Sequence, residues 1–302
     1  MNLQTLVNSR FGVGLGLAVG KNVPSAMGYS LVNFLAGQLA RREGRPLVQT
    51  VQKNQQMIHE EQLSSDALQQ VTEEVFRYSG RCFVDLYRNF SSPDRLQKKI
   101  VKNEDLERLI HLSQDKTFGA FVVVPHMSSF DLMLLAAANE GFKSKVLTFG
   151  QPTGGYKLQN EIRAMSGLDI MPVSRRTNVS ALEALRQGGF VLTAVDRPLP
   201  GQKQGYNFFG HLSSLPDGHI RMALKADVPV LVAAVHMNKD GHYQLQLSEP
   251  FSMKKMDSPA DEVRYNMETV LRVLERYIRA HPAQWQMFYP VWPYEQHSFH
   301  LN

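Results

Sequence analysis

From about residue 118 the apolar positions fall into short, nearly unbroken runs: AFVVVP at 120–125, KVLTFG at 145–150, LDIMPV at 168–173, GFVLTAV at 189–195 and VPVLVAAV at 228–235. Strands that are apolar at almost every position suit a sheet covered on both faces. Helical spacing fills the gaps at 129–139, 156–166, 178–187 and 217–226, and one long helix is predicted over 259–280. Strand–helix alternation of this kind predicts an α/β fold. Its central sheet is mostly parallel or mixed, with helices on its flanks. Residues 1–110 read instead as helical. SSDALQQVTEEVFRYSGRCFVDLYRNF, from Ser64, starts at a serine cap with acids nearby and carries apolar residues at helical spacing. Ser91, Ser92, Pro93 and Asp94 then break the pattern. The expected organisation is a helical N-terminal region over 1–110, packed against an α/β domain over 111–302.

The N-terminal pattern adds a candidate surface. FGVGLGLAVG at 11–20 is apolar, with glycines four apart, but Lys21, Asn22 and Pro24 interrupt it. No run reaches the roughly 18–20 apolar residues that span a bilayer. AMGYSLVNFLAGQLARR then continues as an apolar helix ending in arginines. Residues 11–42 are therefore expected to dock on a membrane surface without crossing it; a buried helical pair would satisfy the same pattern.

Composition narrows the partners. Across 302 residues, 43% hydrophobic and 20% charged content describe an ordinary globular protein, and the net charge of +5 favours an anionic partner. Membrane surface, phosphate-bearing substrate and nucleic acid all fit that charge. No arrangement of basic and stacking aromatic residues recommends nucleic acid. One cysteine, Cys82, excludes an internal disulfide and a multi-cysteine zinc site, and its setting in RCFVD suits a core residue. There is no Walker sequence, no Gly-x-Ser-x-Gly elbow and no His-Glu-x-x-His spacing, so no metal site is expected. Arg95, Lys98, Lys99 and Lys102 cluster on a short mixed-charge stretch that suits a solvated face or anionic head groups.

The chemistry concentrates in FVVVPHMSSFDLML, 121–134, where a strand runs into His126 and Asp131 opens a helix. In a continuous helix residues five apart are rotated by roughly 140° and could not meet. Pro125 places His126 before the helix, with Ser128 or Ser129 as N-cap and Asp131 in the first turn. A chain folded back over that turn would bring the carboxylate onto the imidazole. Asp131 would fix the tautomer and leave the other ring nitrogen as a general base. Ser128-x-x-Asp131 is equally a capping-box pattern, in which the acid serves the helix dipole and His126 is an incidental loop residue.

The wider set of motifs bears on that choice. PHMSSFDL resembles the His-x4-Asp/Glu signature of the lysophospholipid acyltransferase superfamily. Further segments resemble its bacterial glycolipid branch, which includes lipid A and phosphatidylinositol mannoside acyltransferases. These are LQNEIRAMSGLDIMPV (Asn160, Arg163, Gly167), LEALRQGGFVLTAVDRP (Asp196, Arg197), the stretch containing Phe208-Phe209-Gly210 and Pro216-x-Gly218, and HPAQWQMFYPVW. They occur in the family order over most of the chain. Asn207 and His211 depart from the residues usual around Phe-Phe-Gly, and the Phe-Pro-Glu-Gly-Thr-type motif is absent, which bears on the acceptor more than on the reaction.

The resemblance implies a membrane-associated O-acyltransferase. It would move a fatty acyl group from acyl-CoA or acyl carrier protein, as co-substrate, to a hydroxyl of a glycolipid or phospholipid, with no cofactor. His126 would be the general base, oriented by Asp131. The implied location is the cytoplasmic face of the inner membrane, peripheral or monotopic. Arg163 is expected at the oxyanion or a nearby phosphate. Asp196 and Arg197 lie where a strand ends, either lining the ligand site or pairing locally to organise the 198–200 loop. Arg175, also after a strand, is expected near donor phosphates. A thioesterase or lipid hydrolase using the same pair on water, or a non-catalytic lipid-binding protein, are the alternatives.

Overall fold

The computed structural model describes residues 24–42, 44–152, 154–199, 201–202 and 204–292. The run at 11–20 and the first part of the expected docking segment lie outside them. Helices α1 (Ser25–Ala40), α2 (Pro46–Ile58), α3 (Ser65–Asn89), α4 (Pro93–Gln97) and α5 (Glu104–Gln114) come first. Strand β1 (Ala120–Val124), α6 (Phe130–Asn139), β2 (Lys145–Thr148), α7 (Gly154–Ala164), β3 (Asp169–Pro172), α8 (Arg175–Arg186) and β4 (Phe190–Ala194) follow. A small antiparallel hairpin of β5 (Tyr206–Phe208) and β6 (His211–Ser213) precedes α9 (Gly218–Ala226), β7 (Val230–Met237), β8 (Tyr243–Leu247) and α10 (Pro259–Ala280). A 3₁₀ turn at Pro282–Gln284 ends the described elements.

The main sheet has six strands in the order β3-β2-β4-β1-β7-β8, all parallel except the β7–β8 pairing. All five predicted strands are present. The hairpin strands and edge strand β8 are additional; they are short or alternate apolar with polar residues, so no continuous apolar run marks them. Every residue of β1 is buried, because helices cover both faces. Phe121, Val123, Val191, Val230 and Val232 pack with α8, α9 and α10, while Ala120, Val122, Leu192 and Leu231 pack with α3, α5 and α6. The period-two alternation of a strand thus sorts each run between two helical layers. Helices α3, α4 and α5 share the second of these cores with the sheet through Leu86, Leu96 and Leu106.

Helix α1 is held down by one buried acid. Asp85 on α3, fully buried, accepts hydrogen bonds from Tyr29 of α1 and, at 2.7 Å, from Tyr243 of β8. Lys99 Nζ lies 3.0 Å from its carboxylate and 2.9 Å from the Tyr29 hydroxyl. A buried carboxylate is tolerated only when its lone pairs are met in this way. Lys99 is therefore part of an internal ion pair rather than a solvated face.

Backbone conformation is most constrained where β4 begins. Gly188 has φ +74°, and a Cβ there would come within 1.8 Å of the Lys116 carbonyl oxygen. Left-handed backbone and that approach both demand glycine. Gly188→Ala is expected to lower unfolding stability by about 3 kcal/mol in urea denaturation, from strain and clash together; an unchanged midpoint would refute this reading of the turn.

Candidate active site

Strands β1 and β4 are paired in parallel with Val124 opposite Ala194. Two residues beyond each partner stand His126 and Asp196, so the sheet register itself sets them side by side at the carboxyl end of the sheet, where open α/β folds bind ligands. His126 Nδ1 lies 2.6 Å from Asp196 Oδ1, and the His126 backbone N–H donates to Asp196 Oδ2 at 2.7 Å. Trp285 Nε1 donates to the same Oδ2, also at 2.7 Å. Burial alone would raise the pKa of this fully buried carboxyl. The imidazole, the indole N–H and the backbone amide outweigh it and hold the group below its ordinary value. An ionised carboxylate only accepts, so Nδ1 carries a proton, and in the neutral ring the lone pair is on Nε2. Nε2 has no hydrogen-bond partner among the described residues.

The carboxylate on the imidazole is thus Asp196 and not Asp131. Asp131 faces Arg163, whose Nε donates to Oδ1 at 2.7 Å and whose second terminal nitrogen donates to Oδ2 at 3.1 Å. The remaining nitrogen donates to Asn160 Oδ1 at 2.8 Å, and Asn160 Nδ2 donates to Thr148 Oγ1 at 3.2 Å. The physical reason is helical geometry: Asp131 sits in the first turn of α6 with its side chain toward α7, and a bidentate guanidinium partner waits there. Burial would lower the Arg163 pKa, but Asp131 reverses this and raises it. Each of the three Arg163 nitrogens thus has a partner, and Arg163 lines the cavity beside His126 as part of an ion pair with Asp131.

The turn between His126 and α6 is strained. Ser128 has φ +48°. Its N–H donates to the Gln284 carbonyl at 2.8 Å, its carbonyl accepts from Gln286 Nε2 at 2.9 Å, and the Gln286 N–H donates to the His126 carbonyl at 2.8 Å. Segment 284–286 therefore runs antiparallel to 126–128 and clamps it, with Met127 bridged to Trp285. Ser129 is the N-cap residue of α6, but its side chain makes no cap hydrogen bond, so neither the expected serine cap nor the Ser128–Asp131 capping box forms. The Ser129 amide likewise has no partner among the described residues.

The other expected site residues separate. Arg197 borders the site but does not pair with Asp196; its guanidinium carbon lies 3.5 Å above the Tyr289 ring. Arg175 is exposed at the start of α8 and lines neither cavity beside His126. Cys82 is buried, and burial pushes its thiol up to about 12, consistent with the core role read from its setting. Among the described residues no three of His, Cys, Asp or Glu stand close enough to hold a metal ion.

Two cavities meet at His126. The first, about 190 Å³, is lined by Ser129, Phe130, Tyr156, Arg163, Arg197 and Tyr289, among others. It shares Phe83, Phe288 and Tyr289 with an apolar groove of about 440 Å³ between α1 and α3, walled by Val32, Leu35, Leu39 and Phe76. The second, about 520 Å³, opens on the other side of His126 toward α8 and α9. His126 therefore borders a pocket that shares its walls with an apolar groove. The chain also matches bacterial lipid A biosynthesis acyltransferases over residues 2–293, nearly its whole length.

The chain belongs to that family. It is an acyltransferase, as the motifs around His126 suggested, and its substrates are in general terms an acyl donor and a lipid acceptor. No curated protein matches the chain. Nothing local in HPAQWQMFYPVW reveals that Gln284, Trp285 and Gln286 clamp the His126 turn, since the partners they meet there lie 89 or more positions away.

Because Arg163 is 6% exposed and paired with Asp131, removing either charge alone strands the other. Asp131→Asn is expected to cost about 3 kcal/mol of stability in chemical denaturation, and Arg163→Met with Asp131→Leu together clearly less than the sum of the single changes. Additive losses would show that the two groups act separately.

Proposed function

We propose that this acyltransferase moves a fatty acyl group from an acyl thioester, acyl-CoA or acyl carrier protein, to a hydroxyl of a glycolipid, with His126 as general base and Asp196 as the residue that orients it. The observation that supports this most is the Nδ1 bond to a buried, ionised Asp196, which leaves Nε2 basic beside two cavities, one continuous with an apolar groove. The acceptor hydroxyl loses its proton to Nε2 as its oxygen attacks the thioester carbonyl carbon. The C–O bond forms, the C–S bond breaks, and the proton passes from Nε2 to the departing thiolate. Such base help contributes roughly 10²–10⁴-fold. Asp196 stabilises the imidazolium formed midway. The unpartnered Ser129 amide at the N-terminus of α6 serves the oxyanion, and Arg163 keeps the Asp131 charge compensated so that this helix end stays electropositive.

The acyl chain lies in the groove between α1 and α3. Gly80 lets these helices approach, since a Cβ there would come within 2.7 Å of Val32. The protein works as a peripheral or monotopic enzyme at the cytoplasmic face of the inner membrane. No helix among the described residues is long and apolar enough to cross a bilayer. Helix α1 nevertheless exposes Met27, Leu31, Phe34 and Leu35 along one stripe, followed by Arg41, Arg42 and Arg45 at its end. An apolar stripe with flanking arginines suits an anionic lipid surface, and the same stripe borders the groove, so an acyl chain can enter from the bilayer side.

Incubation with labelled acyl-CoA and a bacterial glycolipid extract, followed by mass spectrometry, tests the reaction. His126→Ala and Asp196→Asn should each reduce acyl transfer by about 10³-fold, and the double variant little further, because the two act as one unit. Free fatty acid without acylated lipid would instead identify a hydrolase, and full turnover by His126→Ala would refute the mechanism. Phe34→Asp should weaken sedimentation with anionic vesicles several-fold while leaving the melting temperature unchanged; undiminished sedimentation would remove α1 as the docking element.

A further inference from the structure

The second cavity, on the α8–α9 side of His126, holds polar groups that the proposed chemistry does not use. His219, 3% exposed, lines it, and its Nε2 has no hydrogen-bond partner. The ring's other polar contact is with Pro216, whose backbone offers only a carbonyl, so Nδ1 carries the proton and Nε2 the lone pair. Burial pulls the ring's pKa down to about 4, against the opposing pull of Asp217, and keeps it neutral at ordinary pH. Asn178 of α8 lines the same cavity with an Oδ1 that is also buried and unpartnered. Asp217 completes the set. Its Oδ2 accepts from Tyr206 at 2.6 Å and from Arg221 at 2.8 Å, while its Oδ1 takes no hydrogen bond among the described residues.

His219 Nε2 and Asn178 Oδ1 are buried acceptors without a donor, and the Asp217 carboxylate adds a third acceptor oxygen beside them. A buried acceptor left unmet costs about 1–3 kcal/mol, and two such atoms next to a carboxylate call for a ligand rich in O–H groups. Phosphate brings only acceptors and negative charge: it cannot satisfy these acceptor atoms and Asp217 repels it, while the Arg197 guanidinium that also borders the cavity is stacked on Tyr289. Phe149, Val173 and Met222 add apolar lining that suits the C–H face of a ring. At about 520 Å³ it lies within the range for small-molecule sites.

We infer that the cavity bounded by Asn178, Asp217 and His219 binds the sugar of the acceptor, through hydroxyls donated to these three acceptors, and presents one remaining hydroxyl to His126. The inference rests on the acyl-transfer reading and deepens it: the donor chain occupies the α1–α3 groove, and the glycosyl headgroup occupies the opposite side of the base. His219 and Asn178 are positioning residues for the acceptor.

Octyl β-D-glucopyranoside below its micelle concentration is the probe, titrated calorimetrically into the full chain, with octyl phosphate and palmitoyl-CoA titrated in parallel. The wild-type protein should bind the glucoside, and His219→Phe and Asn178→Leu should each weaken that binding roughly tenfold, the weight of one buried hydrogen bond. Palmitoyl-CoA affinity should stay unchanged, and octyl phosphate should not displace the glucoside. His219→Phe keeps the ring shape, and an unchanged Asn178→Leu melting curve secures the result if the histidine variant folds poorly. No glucoside binding by the wild-type protein, equal glucoside affinity in both variants, displacement by octyl phosphate, or a loss confined to palmitoyl-CoA would each overturn the assignment, the last by giving the cavity to the donor. The readout is binding, so a chain that transferred no acyl group yet lost glucoside affinity with His219→Phe would refute the transfer reading alone.

Discussion

Everything at the site hangs on one buried carboxylate. Asp196 has no exposed surface, and a bare charge there would be untenable. It is tolerated because three N–H groups converge on it: the His126 ring, the His126 backbone and the Trp285 indole. These come from the ends of two neighbouring strands and from the segment after α10. One set of hydrogen bonds therefore satisfies a charge, selects the imidazole tautomer and fastens the C-terminal segment across the sheet.

The second acid near His126 has a different neighbour and hence a different role. Asp131 stands in the first turn of α6, where its charge alone would offset the positive helix end. Arg163 compensates that charge in a two-pronged bond, and its third nitrogen donates to Asn160, which donates in turn to Thr148, tying α6, α7 and β2 together. Two carboxylates close to one histidine thus differ by partner: Asp196 is bonded to the ring and sets its tautomer, and Asp131 is bonded to the guanidinium in the wall. The strained turn at Ser128 is held from the other side by Gln284 and Gln286. Beside this clamped turn, His126 borders a pocket that shares its walls with the apolar groove and also borders the cavity toward α8 and α9.

Much of this was legible in the chain. The apolar runs gave β1, β2, β3, β4 and β7, the long α10 began and ended as its pattern required, and PHMSSFDL singled out His126. Asp196 and Arg163 were expected near the same site, and both lie close to His126, one bonded to its ring and one lining the same cavity. What misled was proximity along the chain. Asp131 is five residues from His126, and Ser128-x-x-Asp131 has the form of a capping box, yet Asp131 turns to α7 and Ser129 caps without its side chain. Arg197, next to Asp196, stacks on Tyr289 instead of pairing with it. Hairpin β5–β6 and edge strand β8 carry too few consecutive apolar residues to stand out.

By itself the sequence determined the layers, because full burial of a strand demands apolar residues at both parities, and helical spacing shows which segments cover it. It also determined which residue types were present to do chemistry. The tertiary structure decided which of them meet. Every parallel pairing needs a crossover connection, and while β2 pairs with the next strand β3, the neighbour of β1 is β4 and not β2, which follows it in the chain. Register then carries Val124 to Ala194, and two residues further His126 to Asp196, across 70 positions. No local pattern encodes that register, since it follows from how the two sheet faces pack as a whole.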